Sequence, residues 1–468
     1  YGVKWMRITV VRGKQAISSL ADDAFGREWN QLHAACPWAT VFQSRNFVTT
    51  WERIYEGQYE PVLVVGRADN GQLVGLIPLA RSTRCGKLVP AGAHHAEYQG
   101  WICLPDFAGD FPSRAFASLR LVFPGATLRF RYMPAGIPVE WPSDDAMARR
   151  SLLHSGRRPL IYLGDGQAIR QSLAKSGNKS RIRQLKRNGT VEFRRVTDPA
   201  EFVGLIDEIA VFHDCRQLRH SGVAPFQEDG LKRVFHLELM RNPGLLHVTT
   251  LCVDGRLVSA HLNVVRGGEV QLYLIAHNPL FARFSPGKLH LLFLAEMLHG
   301  EGYTQIDLTP GGDAYKERFA NAADRVASLA VFPSFARRLV GAAAAAAVVQ
   351  AKDRLRRLDV TPAELKAWLD RRFRTTGSAP AAGGSCEVRK DCLEHLLTYH
   401  AGDDLRSRRR FLSDALDRFE RGEHVFSSQI EGRVTVFGWT PEEAPAPPNV
   451  LASHLPPALP RPPSRNVA

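Results

Sequence analysis

The alternation of apolar and polar residues is strongest between residues 245 and 278, in "LLHVTTLCVDGRLVSAHLNVVRGGEVQLYLIAHN". Three runs rich in aliphatic and β-branched residues are separated by Asp254-Gly255 and by Gly267-Gly268, and both pairs are typical of tight hairpin turns. The pattern therefore predicts an antiparallel meander of three strands.

The period changes after this meander, in "RFSPGKLHLLFLAEMLHGEGY". Pro286 suits the first turn of a helix, and glycines at the far end of the segment terminate it. The residues at helical spacing that predict its apolar face are Leu289, Leu292, Phe293 and Met297. A short strand, "TQIDLT" (304–309), and a helix that begins in "DAYKERFA" (313–320) follow.

A weaker version of the same order lies upstream. The segment "EPVLVVGRADNGQLVGLIPLARS" (60–82) is again typical of a hairpin, with Asn70-Gly71 at its turn. A helical segment at 47–57 precedes it, as one at 201–218 precedes the later meander. We therefore predict that two related halves arose by duplication.

These patterns predict an α/β (α+β) fold, in which each half is a mainly antiparallel mixed sheet flanked by helices. After about residue 335 the sequence changes to Ala/Arg-rich helices, a flexible linker, a helix-plus-hairpin segment and a Pro-rich tail that we expect to be disordered. The predicted boundaries are 1–24 for a lead-in strand, 25–165 and 166–335 for the halves, 336–376 for a helical extension, 377–385 for the linker, 386–440 for the helix-plus-hairpin segment and 441–468 for the tail.

The composition is that of an ordinary soluble protein, with 44% hydrophobic and 23% charged residues among 468. A net charge of +14 favours anionic partners, such as nucleic acid, a membrane surface or phosphorylated small molecules. The alternative is that the excess reflects a GC-rich genome, which prefers Arg to Lys.

Cysteine usage and hydropathy bear on the compartment. The seven cysteines form no CxxC pair, which argues against a zinc cluster or a disulfide framework and indicates a reducing, cytoplasmic compartment. The most apolar run, "LVGAAAAAAVVQ" (339–350), is too short to span a bilayer, so we expect no transmembrane segment.

The Gly-Lys pair in "RFSPGKLH" suggests a phosphate-binding loop. A nucleotide-hydrolase loop would need Gly in place of Ala282 and Ser or Thr in place of Leu289, so that class is excluded. A helix N-terminus nevertheless binds phosphate through its N–H groups, and Gly287 would let a ligand approach closely. Ser285 is expected to cap the helix or to donate to a ligand oxygen. The alternative is that Ser285-Pro286 is only a favourable helix start.

Six segments carry a resemblance to a known family: "FQSRNFVTTW" (42–51), "LVGLIPLARS" (73–82), "GNKSRIRQLKRNG" (177–189), "FHDCRQLRHSG" (212–222), "DGRLVSAHLNVVRGGEVQLYLIAHN" (254–278) and "SPGKLHLLFLAEMLHGEGYTQIDLTPGGDAYKERFA" (285–320). With them, residues 25–335 resemble the CelD-type proteins of bacterial cellulose and exopolysaccharide loci. These belong to the GNAT superfamily of acetyltransferases and are distantly similar to the Fem-type aminoacyltransferases.

The resemblance implies two GNAT-like halves, of which the second binds acetyl-CoA or another acyl-CoA. It implies a bacterial N-acyltransferase that modifies an amine of a sugar or envelope precursor, with polysaccharide-synthesis machinery as a partner. It places the CoA pyrophosphate at the strand-to-helix turn, on Arg283, Ser285, Pro286, Gly287 and Lys288. We expect no metal, because the pair His94-His95 near Glu97 lacks the HExxH spacing.

Acyl transfer to an amine needs a base, a stabiliser of the oxyanion and a donor to the leaving thiolate. In "DLTPGGDAYKERF", Tyr315 is a candidate donor and Lys316 a candidate for stabilising the oxyanion or a substrate phosphate. An aromatic-Lys pair with Phe three residues later occupies the matching place in Fem-type enzymes. The alternative is a capped helix in which Lys316 snorkels to solvent. Asp307 and His213 are the candidate bases, although His213 would equally suit packing on the sheet.

The candidate acceptor-binding residues are basic. Arg181 and Arg183 lie in the segment 177–189, and Arg216 follows later; the alternative is a solvated basic helix face. Two other functions stay open. One is a Fem-type transferase that uses aminoacyl-tRNA, which the net charge permits. The other is a non-catalytic GNAT-like partner of a polysaccharide synthase, which predicts that CoA does not bind.

Overall fold

A computed structural model describes residues 5–139, 145–164, 166–311, 314–358, 360–362, 364–365, 388–399, 407–430 and 433–440. The predicted linker (377–385), the Pro-rich tail (441–468) and residues 366–376 of the predicted helical extension lie outside these residues. The chain forms two units. The first comprises Tyr1–His213, Pro225–His277 and Phe284–Asp359, and the second comprises Asp214–Ala224, Asn278–Arg283 and Val360–Ala468.

The first sheet of unit 1 has the order β1-β2-β3-β4, and β5 also pairs with β3. Its strands are β1 (Met6–Arg12), β2 (Tyr59–Ala68), β3 (Leu73–Ser82), β4 (Leu88–Pro90) and β5 (Ile102–Cys103). The predicted hairpin at 60–82 is confirmed, because β2 and β3 pair antiparallel from Tyr59–Ser82 onward. The helices of this region are α1 (Lys14–Ala21), α2 (Asp23–Ala35), α3 (Arg45–Ile54) and α4 (Phe111–Val122).

The second sheet has eight strands in the order β6-β13-β7-β12-β11-β10-β9-β8. The strands are β6 (Leu128–Met133), β7 (Ser151–Tyr162), β8 (Val191–Val196), β9 (Leu246–Val253), β10 (Arg256–Arg266), β11 (Glu269–His277), β12 (Gln305–Asp307) and β13 (Ala322–Val331). The meander predicted at 245–278 is confirmed as β9, β10 and β11. The sheet also contains β6 and β7, which come from the range predicted for the first half.

Helices flank this sheet. They are α5 (Asp145–Ala148), α6 (Gln167–Ala174), α7 (Ser176–Arg187), α8 (Pro199–Ser221), α9 (Pro225–Glu228), α10 (Lys232–Met240), α11 (Pro286–Gly300), α12 (Ala314–Phe319) and α13 (Phe335–Arg357). The predicted mixed α/β class is confirmed. The predicted boundary between two halves stays a prediction, because both ranges contribute strands to one sheet within one unit.

The core beneath the later strands is built around α11. Leu291, Leu294 and Leu298 pack with apolar residues of β7, β11 and β12. On the predicted apolar face, Leu289 and Leu292 are buried, whereas Phe293 and Met297 are half-buried. Burial of such side chains stabilises the fold by about 1.5–3 kcal/mol each.

Unit 2 contains a three-stranded sheet in the order β14-β15-β16. Its elements are β14 (Arg389–Lys390), α14 (Leu393–Leu397), α15 (Ser407–Glu420), β15 (His424–Ile430) and β16 (Arg433–Thr440). Strands β15 and β16 pair antiparallel, which confirms the hairpin predicted within 386–440. Arg219 pairs with Asp417 at 2.7 Å within this unit. Among the helices that the structure describes, none is long and apolar enough to cross a bilayer.

Candidate active site

The site begins where two parallel strands separate. The ladder between β11 and β12 consists of three pairs and ends at Gln271–Asp307, while β11 continues along β10 to His277. Between Leu272 and Leu274 the register with β10 shifts by one residue, which makes Tyr273 the extra residue of a β-bulge. A bulge leaves its extra residue out of the ladder and redirects the strand. The edge of β11 that faces the divergence therefore presents backbone groups to an incoming ligand.

Asp307 ends β12 and is completely buried. Its Oδ2 accepts hydrogen bonds from the Tyr98 hydroxyl at 2.5 Å and from Arg158 at 3.1 Å, and its Oδ1 accepts one from the Thr309 N–H at 2.7 Å. Burial raises the pKa of Asp307 to about 6, although Arg158 opposes this shift. Both oxygens of the Asp307 carboxylate therefore accept hydrogen bonds from protein groups.

Arg158 holds three carboxylates together. Its guanidinium binds both oxygens of Asp324, at 2.7 and 2.5 Å, and also contacts Glu269 at 3.2 Å beside Asp307. Burial lowers the pKa of Arg158, but the acidic partners outweigh burial and raise it. The cation on β7 therefore links β11, β12 and β13. Arg158 and Tyr98 were not predicted from the sequence, because no local pattern distinguishes either residue.

Lys316 lies in α12 with its ammonium buried. Its Nζ donates to the carbonyl oxygen of Thr309 at 3.1 Å and to the Thr309 hydroxyl at 3.0 Å. Thr309 has a φ of 62°, a left-handed conformation that is unfavourable for a β-branched residue. The alternative that Lys316 snorkels to solvent is wrong, because its side chain fixes this strained turn instead. Tyr315, the neighbouring residue, is half-buried.

Two histidines on the helices that precede the meander carry their proton on Nδ1. His213 donates from Nδ1 to the Ile275 carbonyl of β11 at 3.1 Å, and His236 donates to the Lys232 carbonyl at 2.7 Å. A carbonyl oxygen only accepts, so Nδ1 is the donor in both pairs, and a neutral ring with this tautomer keeps a lone pair on Nε2. Burial lowers the pKa of His236 well below its ordinary value and keeps that ring neutral.

His236 stacks on Tyr273, with ring centroids 5.6 Å apart. Nε2 of His236 and the hydroxyl of Tyr273 are both buried and have no hydrogen-bond partner among the described residues. Burial raises the pKa of Tyr273. Unsatisfied groups of this kind are unusual in a folded protein. Neither residue was predicted from the sequence, because their proximity depends on the bulge.

The start of α11 differs in part from the prediction. Ser285 has φ 54° and ψ 55°, and its side chain makes no capping hydrogen bond, so the predicted side-chain cap is wrong. Its carbonyl instead accepts from the N–H of Lys288 at 3.1 Å. Pro286 is the first helical residue and is buried. A Cβ at Gly287 would lie 2.9 Å from the ring of His277, so close packing of this ring requires the glycine.

Basic residues converge on the start of α11. Partial burial lowers the pKa of Lys288, and the charges of Arg181, Lys175 and Arg318 lower it further. The charges of Arg181, Lys175 and Arg318 therefore all act on Lys288, which lies in the predicted pyrophosphate loop. We call Lys175, Arg181, Lys288 and Arg318 the basic cluster.

The exposure of the other predicted cations differs. Arg183 is exposed on α7, while Arg216 and Arg283 belong to unit 2, where Arg216 is half-buried and Arg283 is exposed.

Comparisons with known proteins give one family match. Residues 174–317 match the family described as "Acetyltransferase (GNAT) domain". This range contains β11, the start of α11, Lys316 and three members of the basic cluster, Lys175, Arg181 and Lys288. The chain therefore contains a GNAT-type acetyltransferase domain and is an acyltransferase. No curated protein matches the chain significantly.

Several solved structures are similar to the chain. FemX shares 9% identity with a TM-score of 0.45, and 66% of this chain and 96% of FemX are covered. A tandem GNAT protein from the clavulanic acid biosynthesis pathway shares 14% identity with a TM-score of 0.41, and 70% and 99% are covered. L-PGS from Bacillus licheniformis shares 13% identity with a TM-score of 0.42, and 65% and 90% are covered.

Proposed function

We propose that the protein transfers an acyl group from acyl-CoA to an amine, and that the acceptor is an envelope or exopolysaccharide precursor. The observation that carries the proposal is the basic cluster at the start of α11, within or next to the matched acetyltransferase domain. Phosphates bind where helix N–H groups and several cations face one point. A CoA pyrophosphate suits this position.

The donor would lie between the diverging strands. In this arrangement the phosphates contact Lys288 and Arg181, and the amides of the pantetheine arm pair with the edge of β11 beyond Gln271. The thioester then reaches the bulge at Tyr273. The N–H of a bulged residue is available to donate to a carbonyl oxygen, and this donor would stabilise the tetrahedral oxyanion.

The chemistry needs no covalent intermediate with the protein. The acceptor amine attacks the thioester carbon, a C–N bond forms and the C–S bond breaks. Nε2 of His213 takes the proton of the amine, and the hydroxyl of Tyr315 protonates the leaving thiolate. Asp307 is the weaker candidate for the base, because its oxygens already accept three hydrogen bonds. We assign Asp307 and Lys316 to positioning of the loop that follows β12.

The acceptor class rests on the sequence resemblance to CelD-type proteins. The proposals of a cytoplasmic location and of a polysaccharide-synthesis partner rest on the same resemblance. An acceptor or donor that carries RNA is the second candidate, because the net charge of +14 and the basic face of α7 favour a polyanion.

The test is isothermal titration of the purified full chain with acetyl-CoA and with longer acyl-CoAs. We expect saturable binding that weakens about tenfold, a loss of roughly 1.4 kcal/mol, in each of Lys288→Gln and Arg181→Gln. The matched control is Lys352→Gln, an exposed lysine of α13. Folded protein that binds no acyl-CoA would refute the donor assignment. Equal binding by all variants would refute the basic cluster as its phosphate site.

A further inference from the structure

A second group of convergent side chains lies in unit 1. His94 and His95 end a short 3-10 turn (Ala93–His95) that follows β4, and Asp229 lies between α9 and α10. Nε2 of His94 is 3.4 Å from Oδ2 of Asp229, and Nε2 of His95 is 3.2 Å from the same oxygen. The three potential ligand atoms all lie within 4.8 Å of one another.

We propose that His94, His95 and Asp229 form a binding site for a divalent transition-metal ion of the zinc class. Two imidazole nitrogens and a carboxylate oxygen are ligands that Zn²⁺ accepts, with water in the fourth position. In a tetrahedral sphere with bonds of about 2.0–2.1 Å, neighbouring ligand atoms are about 3.3 Å apart. The two nitrogen–oxygen distances, 3.4 and 3.2 Å, match that edge length.

The backbone of the turn brings the two rings together. Consecutive residues of a helical turn ordinarily point about 100° apart. Here the ring centroids of His94 and His95 are only 4.0 Å apart. Ala93 has a φ of 42°, a left-handed conformation that costs about 1 kcal/mol or more for a residue with a Cβ. The fold thus sustains an unfavourable conformation that directs both imidazoles at one carboxylate.

The surroundings suit an ion that enters from solvent. The side chain of His94 is 58% exposed, which leaves a path to the site and room for a bound water. Oδ1 of Asp229 accepts the N–H of Leu231 at 3.1 Å, so Oδ2 is the oxygen that faces the histidines. The Tyr55 hydroxyl donates to Oδ2 at 2.6 Å and also lies 2.7 Å from Nε2 of His95, so it contacts two of the three proposed ligand atoms.

No metal was expected from the sequence, because His94-His95 near Glu97 lacks the HExxH spacing. In the structure Glu97 instead binds Arg131 at 3.1 Å. The third ligand is Asp229, which lies more than 130 residues further along the chain. Sequence spacing alone therefore had no means of finding this site.

The experiment uses the full chain after treatment with a chelator. We expect isothermal titration with Zn²⁺ to give one saturable site, and Co²⁺ to give the visible absorption of a nitrogen- and oxygen-ligated ion. The exposed ligand is removed in His94→Ala, and the carboxylate is neutralised at constant shape in Asp229→Asn. We expect each variant to bind Zn²⁺ about 100-fold more weakly.

The control is His154→Ala, which removes an exposed histidine of β7 outside the site. Circular dichroism checks that each variant is folded. Weakened binding in both ligand variants, with the control unchanged, would support the site. A folded protein that shows no saturable Zn²⁺ binding, or equal binding before and after His94→Ala, would overturn it.

Discussion

The hydroxyl of Tyr98 offers the sharpest test of the electrostatics around Asp307. Tyr98 and Asp307 are both completely buried, and the hydroxyl lies 2.5 Å from Oδ2. Tyr98→Phe removes this one donor and keeps the ring, which packs near Phe42 with centroids 6.4 Å apart. No cavity larger than the lost oxygen is created. The change in the free energy of unfolding therefore reports the hydrogen bond.

The magnitude follows from the charge of the acceptor. A buried hydrogen bond to an ionised group contributes about 1.5–3 kcal/mol. The bond to Tyr98 lowers the pKa of Asp307, so its loss raises that pKa above the value of about 6. Because the folded-state pKa already exceeds the unfolded value of 3.8, stability falls as the pH rises through about 6, and Tyr98 offsets part of that fall. We expect Tyr98→Phe to cost about 2 kcal/mol at neutral pH and about half as much near pH 5, where the folded carboxyl is protonated.

The assay is urea unfolding followed by tryptophan fluorescence, since Trp29, Trp51 and Trp101 are fully buried in the same unit. Tyr162→Phe is the matched control, because Tyr162 is 53% exposed. A destabilisation by Tyr98→Phe that is equal at the two pH values would refute the assignment of an ionised Asp307 as the acceptor. No destabilisation at either pH would refute the hydrogen bond itself.

Two further variants test the loop and the helix start. In Lys316→Met the buried donor to Thr309 is lost, so we expect steady-state rates to show a turnover number at least about tenfold lower and titration to show little change in the affinity for acyl-CoA. Lys316→Arg is expected to recover part of the turnover number. Weaker acyl-CoA binding would contradict a role confined to the loop. In Gly287→Ala the new methyl would lie 2.9 Å from the His277 ring, so we expect the free energy of unfolding to fall by about 1–3 kcal/mol in a thermal unfolding experiment. An unchanged unfolding midpoint would contradict the close packing.

The elements that the sequence predicts are those whose interacting residues are close together in the chain. At the β9–β10 turn, Asp254 and Gly255 have φ values of 47° and 74°, and few residues other than Gly, Asn and Asp adopt this conformation. The turn residues therefore predict the hairpin and its register. The start of α11 at Pro286 is equally local. The same local patterns predict where the loop before α11 lies, but they do not predict that Gly287 packs on His277.

The remainder depends on pairings over long distances. Strand β12 lies between β11 and β7, and its partner Tyr162 is more than 140 residues from Gln305. The three residues of β12 carry too little pattern to predict either neighbour. For the same reason Asp307 was identified as a candidate base, whereas its contacts with Tyr98 and Arg158 were not foreseen.

The position of Arg158 has a consequence for any attempt to isolate the catalytic region. The matched family covers residues 174–317, yet Arg158, β7 and β13 all lie outside that range. A fragment cut at these limits would lack the cation that pairs with the buried Asp307 and the half-buried Glu269. Removing one partner of a buried ion pair destabilises a protein by about 3–5 kcal/mol. The fragment would also expose the β12 edge that β7 covers, and an exposed strand edge recruits other chains. The range that matches the family is therefore shorter than the range of residues that the sheet needs in order to fold.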